Sequence, residues 1–449
     1  MTINTEFTRE FSERLRAAGV VGAGGAGFPA HLKARSRAEL VLANAAECEP
    51  LLKKDRALLE RSPEEVFTGL ELMMRSTGAA RGVIGIKNKH GELVERLEGL
   101  ARTRKNISVA RLGDYYPAGD EHCLVYDVTG RVVPMGGLPL DSGCVVCNVE
   151  TLYNAALCDR RPVTEKYLTI AGAVGRPCTI KVPVGVTYAE AVEIAGGLKV
   201  RDAAGIDGGP MMGRVITDFS ALVGRTSAGL LVLPKTHPLI VKKARGPRET
   251  ARIGRSACDQ CSFCTELCPR YLLGHTLQPH RAMRSLMFAG AGGKPHSEYA
   301  ALCCECSLCS LYSCPENLDP KEICAASKSG LREMKAGFKD AVPGRAASAH
   351  PVREERKVPV SRLVRRLGLE AYDTGAPYLE HDYKPARVRI PLGGRIGVPC
   401  SPKAEVGGLV KKGAVVGEAP AGGPGTPVHA SIDGRISTVN EKYVEITAL

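Results

Sequence analysis

Eight cysteines in the second half of the chain have a spacing that suits iron–sulfur chemistry. They form two runs, each ending in a cysteine followed by proline: Cys258, Cys261, Cys264 and Cys268, then Cys303, Cys306, Cys309 and Cys314. Three thiolates separated by short spacers can bind three irons of one cubane, and the fourth iron takes a more distant cysteine. The two runs therefore predict two 4Fe-4S clusters.

The cysteine before each proline determines how the eight ligands divide. In proteins with two such clusters, this cysteine ligates the neighbouring cluster. We therefore predict one cluster on Cys258, Cys261, Cys264 and Cys314, and another on Cys303, Cys306, Cys309 and Cys268. The second run has one extra residue before Cys314, which a bulge would absorb, and the spacing excludes the adjacent thiol Cys304. The alternative, a pair of structural zinc sites, requires separated pairs of ligands rather than triplets.

A glycine-rich segment near the N-terminus is the second stretch with chemical potential. Gly22, Gly24, Gly25 and Gly27 precede Phe28 and Lys33. Glycines at this density let backbone amides approach a ligand closely, and a following helix directs its N-terminus at an anion. The segment predicts a site for a phosphate-bearing cofactor, with a flexible turn as the alternative.

Two carboxylates follow the first predicted strand. Residues 40–44 read as a short buried strand, and Glu47 and Glu49 come directly after it. Ligands of open α/β sheets bind at the carboxyl ends of the strands, so we expect both acids at a ligand site. The alternative is that they cap the next helix. Strands and helices that alternate through residue 112 predict a Rossmann-like α/β domain over residues 1–160.

The remaining segments predict three more domains and a linker. Residues 161–245 read as a small α+β unit that serves as a spacer, and residues 246–340 as a helical domain that carries the cysteines. Residues 341–385 read as a surface linker whose arginines are solvated. Residues 386–449 predict a domain of short strands.

The composition restricts the class of protein. No stretch of the 449 residues approaches the roughly 18 apolar residues of a membrane span, and no N-terminal signal pattern is present. We therefore expect a cytoplasmic protein that does not span a membrane, in which the 17 cysteines do not form a disulfide framework. The net charge of +13 is scattered and accompanied by few aromatics, which favours anionic ligands or an acidic partner over nucleic acid.

Several motifs resemble the flavin- and NADH-binding subunit of respiratory complex I. They resemble still more closely the C subunit of Rnf complexes and the cobalamin reductases of propanediol-utilisation microcompartments. The matching residues are the glycine loop with Lys33, Asn44 with Glu47 and Glu49, Tyr116 with Gly119, Asp120 and Glu121, and Asn148 with Thr151. Two positions, Ala46 and Cys147, depart from the complex I pattern.

The resemblance implies a cofactor set and names for the domains. FMN is expected on the glycine loop, Lys33, Asn44 and residues 148–151, with NADH stacked near Phe28 and oriented by Glu49. Residues 161–245 resemble a β-grasp (SLBB) domain, and residues 246–340 a ferredoxin-like domain with two 4Fe-4S clusters. Residues 386–449 resemble a barrel-sandwich hybrid domain that lacks the lysine of biotinyl and lipoyl carriers.

The implied activity is NADH oxidation, in which no side chain acts as nucleophile or general base. Electrons would pass through FMN and the clusters to cobalamin or a corrinoid enzyme in a bacterial microcompartment. Two alternatives are an Rnf-like conduit to ferredoxin or a glycyl-radical activase, and a non-catalytic electron-transfer or docking protein. Ile3, Phe7, Phe11 and Leu15 form an apolar helix face, which we expect to cover its own domain rather than to bind a shell protein.

Overall fold

Four parallel strands form the sheet of the first domain. The computed structural model describes residues 5–288, 297–334, 348–394, 396–420 and 423–449. The domain contains α1 (Thr5–Ala17), α2 (Ala30–Ala34), β1 (Leu40–Ala45), α3 (Lys54–Arg61), α4 (Pro63–Thr77), β2 (Arg81–Lys87), α5 (Gly91–Arg102), β3 (Ile107–Leu112), β4 (Tyr115–Tyr116), α6 (Glu121–Thr129), β5 (Cys144–Asn148) and α7 (Val149–Ala156). The sheet order is β3-β2-β1-β5, so the direction of strand addition reverses at β1. Helices cover both faces, which explains why β1 is a nearly continuous apolar run.

The N-terminal helix covers this domain, as the sequence predicts. Phe7, Phe11 and Leu15 of α1 are buried in the core that α4, α5 and α7 share. Ile3, the fourth member of the predicted face, lies outside the described residues. The apolar stripe of α1 is therefore used within the domain.

The second domain is a mixed five-stranded sheet crossed by one helix. It contains β6 (Glu165–Gly172), β7 (Cys178–Pro183), α8 (Tyr188–Ile194), β8 (Ala203–Asp207), β9 (Arg214–Ile216), β10 (Gly229–Pro234) and α9 (Pro238–Lys243). The order is β7-β6-β10-β8-β9, in which only the β6–β10 pair is parallel. A capping box at Thr187 and Glu190 starts α8.

The cysteine-bearing region consists of short helices joined by tight turns. They are α10 (Pro247–Ala257), α11 (Phe263–Glu266), α12 (Pro269–Leu272), α13 (Pro279–Ser285) and α14 (Pro320–Glu333), with a π-helical turn at Cys309–Ser313. All of these helices except α11 begin with proline at the first position, where its missing N–H is not needed. The π-turn holds the extra residue before Cys314, where the sequence predicts a bulge.

The segment after this region is more than a surface linker. Its described part, from residue 348, forms β11 (Val358–Pro359), which pairs with β4, and α15 (Val360–Arg366), whose Leu363 is fully buried. The prediction of solvated arginines is wrong for Arg353, which is buried and pairs with Asp127 at 2.7 Å. The apolar positions of α15 join a core shared by the first domain, the second domain and the cysteine-bearing region, and the Arg353 ion pair fastens the segment to the first domain.

The C-terminal strands form two small sheets that pack on the second domain. They are β12 (Arg387–Pro391), β13 (Ser401–Pro402), β14 (Leu409–Val410), β15 (Val415–Glu418), β16 (Val428–His429), β17 (Gly434–Val439) and β18 (Tyr443–Ala448). The sheets have the orders β12-β18-β17-β14 and β13-β15-β16. One continuous apolar core joins these strands to the β-grasp sheet. The fold thus consists of the four predicted domain types, and the exact domain bounds stay a prediction.

Candidate functional site

A cavity of about 430 Å³ lies at the carboxyl ends of β1 and β5. Asn44 and Asn148, the paired residues at the ends of these strands, both line it. Strand order reverses here, so the cavity occupies the position where open α/β sheets bind ligands. Thirteen of the predicted site residues line it: Gly22, Gly24, Gly25, Phe28, Lys33, Asn44, Glu47, Glu49, Gly119, Asp120, Glu121, Asn148 and Thr151. Gly27 and Tyr116 do not.

The glycine loop forms one wall of the cavity, and hydrogen bonds hold it in place. Gly22 N–H donates to the Phe28 carbonyl at 2.8 Å, and Ala23 N–H donates to Thr151 Oγ1 at 3.0 Å. A Cβ on Gly24 would lie 3.3 Å from the Asn148 Cβ, tighter than ordinary contacts. Glycine is therefore needed at position 24 for the loop to approach the end of β5.

Lys33 places a positive charge in the cavity wall. Its ammonium donates to the Val146 carbonyl at 2.6 Å and to Glu121 Oε1 at 3.2 Å. Burial acts to lower the pKa of Lys33, but the Glu121 carboxylate outweighs it and the pKa is raised. The lysine therefore stays protonated and can bind an electron-rich or anionic part of a cofactor.

The two predicted carboxylates have different partners. Glu47 accepts from the backbone N–H groups of Asp55 at 2.9 Å and Arg56 at 3.3 Å, so it caps α3. Glu49 accepts from the N–H groups of Met211 at 2.9 Å and Met212 at 2.8 Å, in the second domain. Burial and then the Asp55 charge raise the pKa of Glu47 to about 7, and burial raises the pKa of Glu49. Glu49 therefore fastens two domains across the cavity.

The second domain supplies a wall of the cavity that the sequence analysis missed. Its lining residues are Asp207, Gly208, Gly209, Met212, Gly213, Thr226 and Ala228. A Cβ on Gly209 would overlap the Glu49 side chain, so glycine allows the close approach. The interpretation of this domain as a spacer alone is wrong, and the glycine-rich run 208–213 was the signal that could have revealed it.

A network of buried charged side chains adjoins the cavity and includes two of its lining residues, Lys54 and Asp55. Lys54 pairs with Asp55 at 2.5 Å and with Glu150 at 3.1 Å, and Glu150 also pairs with Lys166. Asn148 Nδ2 donates to the second Asp55 oxygen at 2.8 Å. Burial lowers the pKa of Lys166 to about 8, whereas the two lysines outweigh burial and lower the pKa of Glu150. Because the buried charges are paired, the network can hold the glycine loop and the second domain in place.

The structure brings the eight predicted cysteine ligands together in the predicted groups. Cys258, Cys261, Cys264 and Cys314 line one small cavity. Burial and then the Cys258, Cys314 and Cys261 thiols raise the pKa of Cys264 to about 12. In the other group, burial and then the Cys303, Cys264 and Cys268 thiols raise the pKa of Cys309, so the two groups adjoin each other. Within the described residues, no group of three or more His, Cys, Asp or Glu side chains has an arrangement that could hold a single metal ion.

The two cysteine runs share one backbone conformation, which bears on the place of Cys304. Gln260 and Ser262 flank Cys261 with φ of 57° and 65°, and Glu305 and Ser307 flank Cys306 with 59° and 63°. Left-handed backbone at non-glycine residues is costly and is typical of functional loops. In this register Cys303, Cys306 and Cys309 match Cys258, Cys261 and Cys264, so Cys304 occupies the position of Asp259. The repeated conformation supports the predicted ligand set and fits two clusters.

The cysteine group that contains Cys306 adjoins the cofactor cavity. Both Cys304 and Cys306 line the cavity, and the buried Tyr116 hydroxyl donates to the Cys306 carbonyl at 2.7 Å. Asp120 pairs with Arg270 of the cysteine-bearing region at 2.8 Å. The other group contains Cys261, which is exposed. The arrangement leads from the cavity through an inner cysteine group to an outer group at the surface.

The sequence matches four families of domains along its length. Residues 15–157 match the Nuo51 FMN-binding domain, 167–215 the SLBB domain, 257–319 the 4Fe-4S dicluster domain and 374–448 the RnfC barrel sandwich hybrid domain. The fold and the site therefore define a multidomain oxidoreductase with an FMN-binding domain and a 4Fe-4S domain. Among the described residues, no helix is long and apolar enough to cross a membrane.

Comparison with whole proteins identifies the family. The cobalamin reductase PduS of Salmonella typhimurium is 40% identical over 439 residues, which cover 97% of this chain and 96% of that protein. The cobalamin reductase PduS of Citrobacter freundii is 39% identical over 97% of this chain and 95% of that protein. The RnfC-type component of the Na+-translocating ferredoxin:NAD+ oxidoreductase complex of Acetobacterium woodii is 36% identical over 57% of this chain and 56% of that protein. The chain belongs to the family of the cobalamin reductase PduS.

Proposed function

We propose that this protein oxidises NADH and passes the electrons through FMN and two 4Fe-4S clusters to a corrinoid. The observation that carries the proposal is the wall shared by the cofactor cavity and the inner cysteine group at Cys306, with Cys304 next to it. The relatives named cobalamin reductase support the choice of a corrinoid as acceptor. The resemblance to reductases of propanediol-utilisation systems supports a cytoplasmic bacterial microcompartment as the location.

The donor set of the cavity fits FMN. The tethered glycine loop lets backbone N–H groups approach a phosphate, and Lys33 supplies a positive charge that burial does not neutralise. Bound FMN would supply the exchange between a two-electron hydride and single electrons. The chain's own residues then bind and orient: Glu49 and Gly209 bring the second domain over the cavity, which limits access of water.

The outer cysteine group suggests where the acceptor approaches. Phe263, between Cys261 and Cys264 in sequence, is 46% exposed. It borders an open groove whose rim carries the arginines Arg356, Arg362, Arg365 and Arg366. A corrinoid with a phosphodiester, or an acidic protein that carries one, would be attracted to this rim. A shell protein would have to bind a surface other than the apolar face of α1, because Phe7, Phe11 and Leu15 are buried within the first domain.

The second candidate function is an NADH conduit to ferredoxin or to a glycyl-radical activase. The match to the RnfC-type component favours it, since that component belongs to a ferredoxin:NAD+ oxidoreductase complex. The two functions share the cavity and the cysteine groups, so they differ only in the acceptor at the outer surface.

Anaerobically purified protein tests both the cofactors and the acceptor. We expect about eight irons and eight acid-labile sulfides per chain, with FMN bound. With NADH the protein should reduce a dye, and it should reduce cob(II)alamin to cob(I)alamin, which an alkylating agent traps, faster than it reduces a ferredoxin. Dye reduction without cobalamin reduction would favour the conduit. About four irons, or zinc in place of iron, would exclude the two-cluster proposal.

A further inference from the structure

A second cavity lies where the first, second and C-terminal domains meet. Its volume is about 80 Å³, and of its lining residues only Thr226 is shared with the cofactor cavity. The first domain contributes Val21 and Gly27 at the two ends of the glycine loop, and the second contributes Arg225. The C-terminal domain contributes Gly393, Gly394, Thr426 and His429, among others.

Arg225 brings a positive charge to this cavity without a carboxylate partner. Its Nη1 donates to the carbonyls of Gly19 at 2.8 Å and Pro427 at 3.0 Å, and to Thr426 Oγ1 at 2.9 Å. These are neutral acceptors, and no described carboxylate interacts with the guanidinium. Burial lowers the pKa of Arg225 to about 10, with only a small opposing effect from the Cys400 thiol. The guanidinium is therefore charged at neutral pH and has donors left over for a ligand.

His429 adds a buried nitrogen that lacks a partner. The residue is 5% exposed and lines the cavity, and its Nδ1 is buried without a hydrogen bond in the described structure, whereas the ring hydrogen-bonds to the Ala17 backbone. Burial lowers the pKa of His429 to about 4, so the ring is neutral at pH 7. Buried polar atoms are nearly always satisfied by protein, water or a bound ligand. The ring donates to the Ala17 backbone, so Nδ1 is a free acceptor, and the Arg225 guanidinium lacks a counter-charge. An oxyanion that keeps a proton, such as hydrogen phosphate, can accept from Arg225 and donate to Nδ1.

We propose that this cavity binds a small oxyanion of the size of inorganic phosphate, held by Arg225 with His429. The glycines at positions 393, 394 and 425 leave room for it, and the Thr426 hydroxyl can donate to it because its oxygen already accepts from Arg225. The bound anion links the C-terminal domain to the ends of the glycine loop. It therefore stabilises the glycine loop, which also lines the cofactor cavity.

The competing explanation is that Arg225 only ties Gly19 to residues 426–427. The two explanations differ in what a carboxylate placed in the cavity does. A Cβ on Gly393 meets no atom within 4 Å, so a side chain fits there. Gly393 lines the same cavity as Arg225, so Gly393→Asp adds an anion to the cavity wall, and Gly393→Asn is its neutral counterpart of the same shape.

The test uses intact, cofactor-loaded protein and inorganic phosphate as the probe, at constant ionic strength in chloride. Phosphate should raise the Tm of wild type by about 2–4 °C and saturate. Arg225→Gln should lose this response, whereas Arg201→Gln, which changes an exposed arginine of the same domain, should keep it. Gly393→Asp should have a higher Tm than Gly393→Asn without phosphate and should respond to phosphate no further.

Two results would overturn the proposal. One is a phosphate response that is absent or non-saturable in wild type, or equal in wild type and Arg225→Gln. The other is a Gly393→Asp protein that is no more stable than Gly393→Asn. Both of these variants keep Arg225, so their comparison decides the question even if Arg225→Gln does not fold. Activity with NADH and a dye, measured in parallel, reports on the proposed function separately.

Discussion

The predicted cysteine ligands come from two short stretches of chain, whereas the residues that line the cofactor cavity lie far apart in the sequence. The cysteine ligands lie in two short runs that repeat one backbone conformation around Cys261 and Cys306. The cavity takes its lining from residues as distant as Gly22, Gly209 and Cys306. Local spacing thus specifies a set of metal ligands, whereas a cavity of this kind exists only once the domains have packed together.

The charges of the two regions also differ in their use. In the cavity, carboxylates bind backbone N–H groups or lysines and so fix segments: Glu47 fixes α3, Glu49 the second domain and Glu150 the network below. In the cysteine-bearing region the thiols themselves are the predicted ligands. Substitutions of these carboxylates should therefore alter binding gradually, whereas substitutions of the predicted cysteine ligands should remove a cluster outright.

The largest expected effect separates the inner cysteine group from the outer one. Cys268→Ala should lower the iron content from about eight to about four and stop NADH from reducing the remaining cluster, because the missing cluster adjoins the cavity. Cys261→Ala should also lose about four irons, but NADH should still reduce the cluster that remains. Iron analysis and electron paramagnetic resonance after NADH addition measure both effects.

The control for this pair is Cys400→Ala, which changes a buried cysteine of the C-terminal domain. It should keep all the iron. If NADH reduces the remaining cluster equally well in Cys268→Ala and Cys261→Ala, the assignment of inner and outer groups is wrong.

Gly24→Val should abolish FMN binding while the clusters remain. Even a Cβ at this position would lie 3.3 Å from Asn148, and the branched side chain of valine would push the loop away from β5. The flavin absorbance and the iron content of the purified variant test this directly. Gly99→Val is the matched control, because a Cβ on Gly99 in α5 meets no atom within 4 Å. Retention of flavin in Gly24→Val would show that the cofactor lies elsewhere.

Glu49→Gln should raise the KM for NADH about tenfold and leave FMN bound. A neutral amide cannot accept from both Met211 and Met212, and loss of one charge-assisted hydrogen bond costs roughly 1.5–3 kcal/mol. The second domain would then close the cavity less firmly. Stopped-flow bleaching of the flavin by NADH measures the effect.

The comparison variant for Glu49 is Glu193→Gln, an exposed position of the same domain as Met211 and Met212. It should behave as wild type. A lower Tm with unchanged bleaching in Glu49→Gln would mean that Glu49 only holds the domains together and does not influence NADH.

The smallest expected effect is a change in pH dependence in Glu47→Gln. The folded protein raises the pKa of Glu47 from an ordinary value of 4.5 to about 7, so it holds a proton that the unfolded chain has released. The free energy of unfolding therefore falls as pH rises through this window, by about 2–3 kcal/mol. Glu47→Gln should remove that part of the slope. Melting temperatures of both proteins at about pH 5 and about pH 7.5 test it, and parallel slopes would contradict it.

The sequence by itself determined the domain types and most of the first-domain residues that line the cavity, and it predicts the cluster ligands. The cysteine spacing suffices because three ligands on one tight loop must share a centre, whatever surrounds them. The glycine loop, Asn44 and Asn148 were predictable because the carboxyl ends of parallel strands meet at one edge of a sheet. Even the extra residue before Cys314 was expected as a bulge, and the π-turn accommodates it.

Only the tertiary structure decided what each acid binds and which domains close the cavity. Glu47 and Glu49 look equivalent in sequence, yet one caps a helix and the other holds the second domain, since their partners lie 8 and 162 residues away. The same holds for Arg353, whose burial depends on a contact with Asp127. Hydrogen bonds and ion pairs between distant segments leave no periodic pattern in the sequence, because they arise only when separate cores have packed against each other.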